Sequence, residues 1–553
     1  MRAQMMSAVV VATCLAGCPT GVPPAPAPII VPPVVVPDDD AGVPDADAGV
    51  VDAGVPVVDA GPPAYVCPPR PNVPHLGLGH SELSEEMAQA WLDYRAERDA
   101  ERFAEAKDPA AQWAHHRVEQ VDIDHGCYAL DDVVDVGRAL FTRRFRLEEG
   151  FGNDLDDHAA AGAKPRPNMR RFQAGAFGGP DATSCLNCHW KQGLGGSGDR
   201  ADNSFLFGDG DDVTTHDERN PPPLWGLGWV EVLAQEMSAD LQRQRDEAVA
   251  DFDASDETTR RVPLTTQGIS FGQLLLSKRN ARVHVDTSDV EGVDGDLVIK
   301  PFGYKGVFPE LRDFLMHSLQ VHLGMQAEEV LPLVASGAIT DLDLGNGPAD
   351  DPDDDGVERE LTEGQLTALQ VFLATQDVPV VDVPGPEDFA IRWAEGAELF
   401  EGIGCAYCHV PFLKVAQPTY EVHPTLSGST VRVDLQHGAR PLPSTSDDGG
   451  FLIPVFSDFK RHHMGDRLPA QHAERGVEAD VFLTRRLMAV AQTGPWMHTA
   501  AAATFDEAIY LHGGEGSEAK GASDAFFGLT DDEKGAIRVF LDSLRRAPSI
   551  RIR

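Results

Sequence analysis

Cys185-Leu186-Asn187-Cys188-His189 and Cys405-Ala406-Tyr407-Cys408-His409 decide how the rest of this chain is read. Each is a C-x-x-C-H pattern, the attachment signature of c-type haem. The spacing follows from the chemistry. Two thiols on one turn add across the two vinyl groups of the porphyrin, and the adjacent imidazole takes the iron as proximal ligand. The chain has 8 Cys and 19 His in 553 residues. A chance match is then expected about 0.004 times per chain of this composition, so two matches are not accidental. Zinc would want four ligands from sites closer in sequence. A thioredoxin-type motif has no need of the following His. Two covalently attached haem c groups are therefore expected, one on Cys185, Cys188 and His189, the other on Cys405, Cys408 and His409.

The other cysteines point to export. Arg2, the apolar stretch Met5 to Leu15 and then Leu15-Ala16-Gly17-Cys18 read as a signal peptide ending in a lipobox, with Cys18 lipidated. Haem c is attached outside the cytoplasm in bacteria, which agrees. Pro19 rather than Asp after Cys18 leans toward the outer membrane. The expected location is the bacterial cell envelope, lipid-anchored and facing periplasm or surface. Residues 19 to about 66 hold Pro-rich runs and Asp-Ala-Gly-Val near-repeats with no aromatic before Tyr65. Such a segment cannot bury enough apolar area to offset ordering entropy, and it reads as a disordered spacer. Cys67 and Cys127 are either a disulfide of an oxidising compartment or two unrelated buried thiols, and the disulfide is favoured.

The formal net charge of −42 argues against a nucleic-acid partner, since phosphate neutralisation needs clustered Lys and Arg. It also argues against adhesion to anionic lipid through a basic face. No apolar run reaches the 18 or more residues of a helical span, so membrane contact is expected only through the lipid anchor.

A helix is expected over Ser81 to Val121, from its capping-type start Ser81-Glu82-Leu83-Ser84-Glu85 and the helical spacing of Met87, Trp91 and Tyr94. Val136-Gly137-Arg138-Ala139-Leu140-Phe141 precedes the first motif, and Gly396-Ala397-Glu398-Leu399-Phe400 precedes the second. A helix ending in Leu-Phe, a loop and C-x-x-C-H thus occur twice. Leu361 to Thr375 and Asp531 to Leu544 also read as helices. The expected fold is mainly α, with two cytochrome c-like haem domains in tandem, loop-rich insertions and a disordered N-terminal tether. The expected boundaries are 1–17 signal, 18–66 linker, 67–130 helical extension, 131–380 first haem domain with insertion and 381–553 second haem domain.

This pattern resembles the di-haem cytochrome c peroxidase / MauG superfamily, and within it the di-haem oxidoreductase (thiol oxidoreductase-like) subgroup. Four blocks carry the resemblance: Arg219-Asn220-Pro221-Pro222-Pro223-Leu224-Trp225-Gly226-Leu227-Gly228-Trp229-Val230-Glu231, Lys300 to Gly306, Ser457 to Gly465, and Thr493 to His498 followed by Ala508 to Glu515. It covers about residues 130 to 545. The resemblance implies an oxidoreductase that takes hydrogen peroxide at the His189 haem and relays electrons through the His409 haem. The donor would be a small c-type cytochrome or a partner protein. It implies Met497 as second ligand of the relay haem, with Met464 competing. Classical members cap the first haem with a His soon after the motif. Here none occurs between Trp190 and Thr215, and His216 reads as an ordinary loop residue. That departure resembles the MauG-like branch and implies an iron open to peroxide.

Cleaving O–O needs a group that moves a proton between the peroxide oxygens. Glu231, then Glu236, are the candidates, since a buried carboxyl has a raised pKa. Trp190, Trp225 and Trp229 are candidate electron relays, with packing the better reading for any one of them. Asp351-Pro352-Asp353-Asp354-Asp355-Gly356 fits the first half of a calcium loop. Position twelve is Thr362, so Asp351, Asp353 and Asp355 would need Glu360 or Glu363 to complete a variant calcium site. The competing functions are a non-catalytic di-haem electron carrier and an enzyme that oxidises a side chain of a partner protein.

Overall fold

A computed structural model describes residues 65–68, 117–152, 181–206, 213–280, 282–339, 342, 344, 347–383, 385, 387–437 and 442–547. The signal, Cys18, nearly all of the linker and the Ser81 to Val121 reading up to residue 116 lie outside the described residues. Ten helices occur among the described residues: α1 (Gln120–Asp124), α2 (Leu130–Thr142), α3 (Leu227–Asp253), α4 (Leu311–Leu323), α5 (Val330–Ala335), α6 (Glu363–Ala374), α7 (Glu387–Gly402), α8 (Phe505–Leu511), α9 (Lys520–Gly528) and α10 (Asp531–Asp542).

The mainly α expectation of two tandem cytochrome c-like domains is corrected by the strands. The described residues are 35% helical and 17% strand, and they form six sheets of two or three strands. Strands β1 (Ser204–Leu206) and β2 (Asp217–Arg219) pair after the first motif. A meander of β3 (Thr259–Thr266), β4 (Ile269–Arg279) and β5 (Arg282–Asp286) follows α3. The turn between β3 and β4 is Gln267-Gly268, with φ of 53° and 77°, the left-handed pair that a two-residue hairpin needs. Ile269 and Phe271 are buried in step, then Leu274 and Leu276. The phase slips by one at Gly272, whose φ is 75°. A two-residue alternation is broken there, so the strand does not show in the sequence pattern.

Two helix pairs repeat one design. Helix α2 crosses α6 at Gly137, where a Cβ would lie 2.0 Å from the carbonyl oxygen of Ala368. Helix α7 crosses α10 at Gly396, where a Cβ would lie 2.0 Å from the carbonyl oxygen of Ala536. Only glycine permits either approach. The partner helices start alike. The Thr362 side chain accepts from Gln365 N and that of Thr530 from Glu533 N, both in capping boxes. Across the crossings Phe141 meets Phe372 at 5.4 Å and 51°, and Phe400 meets Phe540 at 5.2 Å and 51°. All twelve residues of α6 are buried, so it is a core helix with no solvent face.

The larger apolar core gathers α2, the first turns of α3, α4, α6 and the meander. A smaller one joins Trp393, Phe400, Phe456, Phe526 and Phe540 around the second crossing. Each such ring stabilises by about 1.5–3 kcal/mol when fully buried. At the N-terminal side Cys67 is bonded to Cys127, 60 residues on, and Tyr65 stacks on His125 at 4.1 Å.

Candidate functional site

Each motif folds as a single tight turn, Cys185–Asn187 and Cys405–Tyr407. His189 N donates to Cys185 O and His409 N to Cys405 O, both at 3.0 Å. Each turn therefore presents two sulfurs and an imidazole together. Among the described residues none of the four cysteines forms a disulfide. Burial first, then the neighbouring thiol, pushes Cys185 and Cys405 up to about 12. His189 Nδ1 lies 2.9 Å from Pro222 O and His409 Nδ1 3.0 Å from Phe456 O. A carbonyl only accepts, so Nδ1 carries the proton and Nε2 keeps its lone pair. Phe141 lies against His189 at 6.5 Å and 45°, and Phe400 against His409 at 6.4 Å and 46°. The two sites are thus built alike, down to the ring angle.

The surroundings suit a haem. Pro223, Trp225, Pro379, Arg485, Arg486 and Met488 line a small, partly open pocket that begins one residue from the carbonyl that holds His189. Arg485 donates to Gly303 O and Arg486 to Pro301 O. Among the described residues neither meets a carboxylate. Burial lowers both guanidiniums, that of Arg486 to about 9. Both guanidiniums are half-buried, where an anionic partner is favoured, and the propionates of a porphyrin would supply two. The donor set of paired thiols, imidazole and arginines fits haem c.

The second imidazole site holds another ring. His512 lies 6.4 Å from His409, centroid to centroid, at 60°. Its Nδ1 is 2.7 Å from Ala508 O. Met497 sits in a turn at φ 71°, with Ala500 N donating to its carbonyl. Met464 N donates to Asp480 O.

Glu231, the fifth residue of α3, is 1% exposed. Its Oε2 accepts from Tyr420 OH at 2.8 Å and from Leu311 N at 3.1 Å. Burial pushes it up to about 8, with Glu310 and Asp313 adding and the two donors opposing. The network continues through Gln370 Nε2, which donates to Tyr420 OH, to Arg312, which donates to Gln370 and pairs with Glu329 at 2.6 Å. Glu236 is used otherwise: its two oxygens accept from Ala416 N and Gln417 N. His216 is buried beside Thr215. Trp190 is exposed and donates to Asp202, Trp229 packs edge-on to Phe451, and Trp225 donates to Leu194 O at the cavity.

The acidic loop closes on itself. Asp351, Asp353 and Asp355 bring one carboxylate oxygen each within 4.8 Å of the others. Both oxygens of Asp353 are buried without a hydrogen-bond partner among the described residues. Glu360 is 6% exposed. Burial, then Asp353, pushes it up to about 10. Glu363 faces elsewhere and accepts from Leu426 N and Ser427 N. The nearby cation Arg359 is committed to Glu119 and Glu328.

His512, Arg485 and Arg486 were not singled out by the sequence. The first stands inside the Ala508 to Glu515 block, where the C-terminal end of a short helix and two following glycines could have marked a fixed ring. No such signal attaches to Arg485-Arg486.

No family model matches the chain. Over 156 residues, 27% of its length, it is 28% identical to the cytochrome-c peroxidase IdrP1 of Denitromonas iodatirespirans, and the match spans 39% of that protein. The likeness is thus to a member of the peroxidase class that the motif blocks resemble. A solved MauG-like protein associated with microbial copper homeostasis aligns with 48% of this chain and 78% of its own. The identity is 14% and the TM-score 0.27, an overlap too small to bear on the fold.

Proposed function

We propose that this chain is an exported di-haem c-type oxidoreductase that uses hydrogen peroxide. The observation that carries the reading is the matched pair of sites, each with two thiols, an imidazole fixed through Nδ1 and a phenylalanine at the same distance and angle. The similarity to a cytochrome-c peroxidase supports it, and the Cys67–Cys127 bridge supports export to an oxidising compartment. Bound haem supplies the metal centres for single-electron chemistry on peroxide. The chain's residues do the rest. Cys185, Cys188 and His189 hold one group, and Cys405, Cys408 and His409 hold the other. Arg485 and Arg486 bind carboxylates beside Trp225. Glu231, protonated at neutral pH, holds its proton on Oε1, because Oε2 already accepts from Tyr420 and Leu311. In the same reading Asp351, Asp353, Asp355 and Glu360 bind calcium.

Peroxide titration of the haem-loaded protein tests the function. A change in the absorption and EPR spectra of one haem, followed by turnover with a reduced c-type cytochrome, is the expected result. Two low-spin haems indifferent to peroxide would make the chain an electron carrier instead. A spectral change without cytochrome turnover would point to a protein side chain as the reductant.

A further inference from the structure

We propose that His512 is the second axial ligand of the haem attached at Cys405, Cys408 and His409, in place of a methionine. The inference rests on the di-haem reading above and adds the identity of the ligand. Two imidazoles on opposite sides of one metal, each with a metal–nitrogen bond of about 2 Å, have centroids on the order of 6 Å apart. His409 and His512 are 6.4 Å apart. That separation, with the rings tilted at 60°, matches two imidazoles holding one metal ion between them.

The tautomers agree with the distance. His409 gives its Nδ1 proton to Phe456 O and His512 gives its own to Ala508 O, at 3.0 and 2.7 Å. Each ring therefore keeps its lone pair on Nε2, and neither Nε2 has a hydrogen bond among the described residues. A carbonyl bond at the far nitrogen is the device that fixes the tautomer and angle of a metal-bound histidine. The same device holds both rings here.

The backbone holds His512 firmly. It caps α8, with its N–H on Ile509 O. Ser523 Oγ, from α9, donates to Ile509 O. Gly513 lies against that serine, where a Cβ would come within 2.7 Å of Oγ. The ring is thus placed by α8 and α9 together, while His409 is placed by the motif turn on the other side. A second imidazole in place of a thioether has a stated consequence, since His/Met ligation raises the reduction potential. This haem would sit at a lower potential than a His/Met haem.

The test is spectroscopic and uses the full chain with its haems. The ferric wild type is expected to lack the far-red charge-transfer band of methionine-ligated haem and to show a low-spin EPR signal of bis-imidazole type. His512→Ala should convert that one signal to high spin, and added imidazole should restore it. His512→Met should introduce the methionine band and raise the midpoint potential of one haem. A methionine band in the wild type would overturn the inference while leaving the di-haem reading intact, and so would His512→Ala spectra identical to wild type. Material without haem would overturn both. Should the variants fail to fold, the wild-type spectrum still decides.

Discussion

The Tyr420 hydroxyl donates to Glu231 Oε2 over 2.8 Å, and both side chains are closed to water. A carboxyl in that position is held protonated by its surroundings. Its ordinary value is 4.5 and its folded value about 8. Between these the folded chain binds a proton that the unfolded chain releases, so stability falls as pH rises across the window. The slope reaches at most about 1.4 kcal/mol per pH unit. Glu231→Gln cannot titrate and is expected to flatten that part of the profile. Denaturant unfolding of both proteins from pH 5 to 8 checks this, and parallel profiles would refute it.

The helix crossings give a second prediction. Gly396→Ala would drive a methyl group into the carbonyl of Ala536, and Gly137→Ala would do the same at Ala368. Overpacking of this kind costs about 1–3 kcal/mol, occasionally more. Gly402→Ala, at the open end of α7 with nothing within 4 Å, should be neutral or should stabilise by up to about 1 kcal/mol. Chemical denaturation should rank the three variants in that order.

Arg312 and Glu329 form an ion pair that is almost wholly buried, 2% and 0% exposed. Removing one member strands the other. Glu329→Ala should therefore cost about 3–5 kcal/mol, with a drop in midpoint and little change in slope of the denaturation curve.

The acidic loop predicts a response to metal. Three aspartates bring carboxylate oxygens within 4.8 Å of one another, and those of Asp353 have no hydrogen-bond partner among the described residues, an arrangement that a hard divalent ion relieves. Calcium at a hundred times its dissociation constant would stabilise by about 2.7 kcal/mol. Chelator should lower the unfolding temperature of the full chain, calcium should restore it, and Asp353→Asn should abolish the response in scanning calorimetry.

Chemistry was more legible in the sequence than architecture. The C-x-x-C-H turns need adjacent residues only, so they appear in the string as they do in space. The same holds for the Thr362 and Thr530 caps and for the acidic loop. The strand from Ile269 to Arg279 was hidden because Gly272 shifts its alternation, and most other strands are too short to establish a period. The ligation of the second site was hidden for another reason. His409 and His512 meet only after α8 and α9 have packed, and the glycines after His512 mark a fixed ring without saying what it faces. Glu231 was named as a candidate from its signature block. Its hold on Tyr420 was not, because the two are far apart in sequence.

The Cys67–Cys127 bridge gives the protein a particular tolerance to cutting. A single protease nick anywhere between these positions leaves two fragments that still travel as one molecule, and only a reductant parts them. Cleavage between the two cysteines therefore leaves everything after Cys127 joined to the segment that precedes Cys67 until the bridge is reduced.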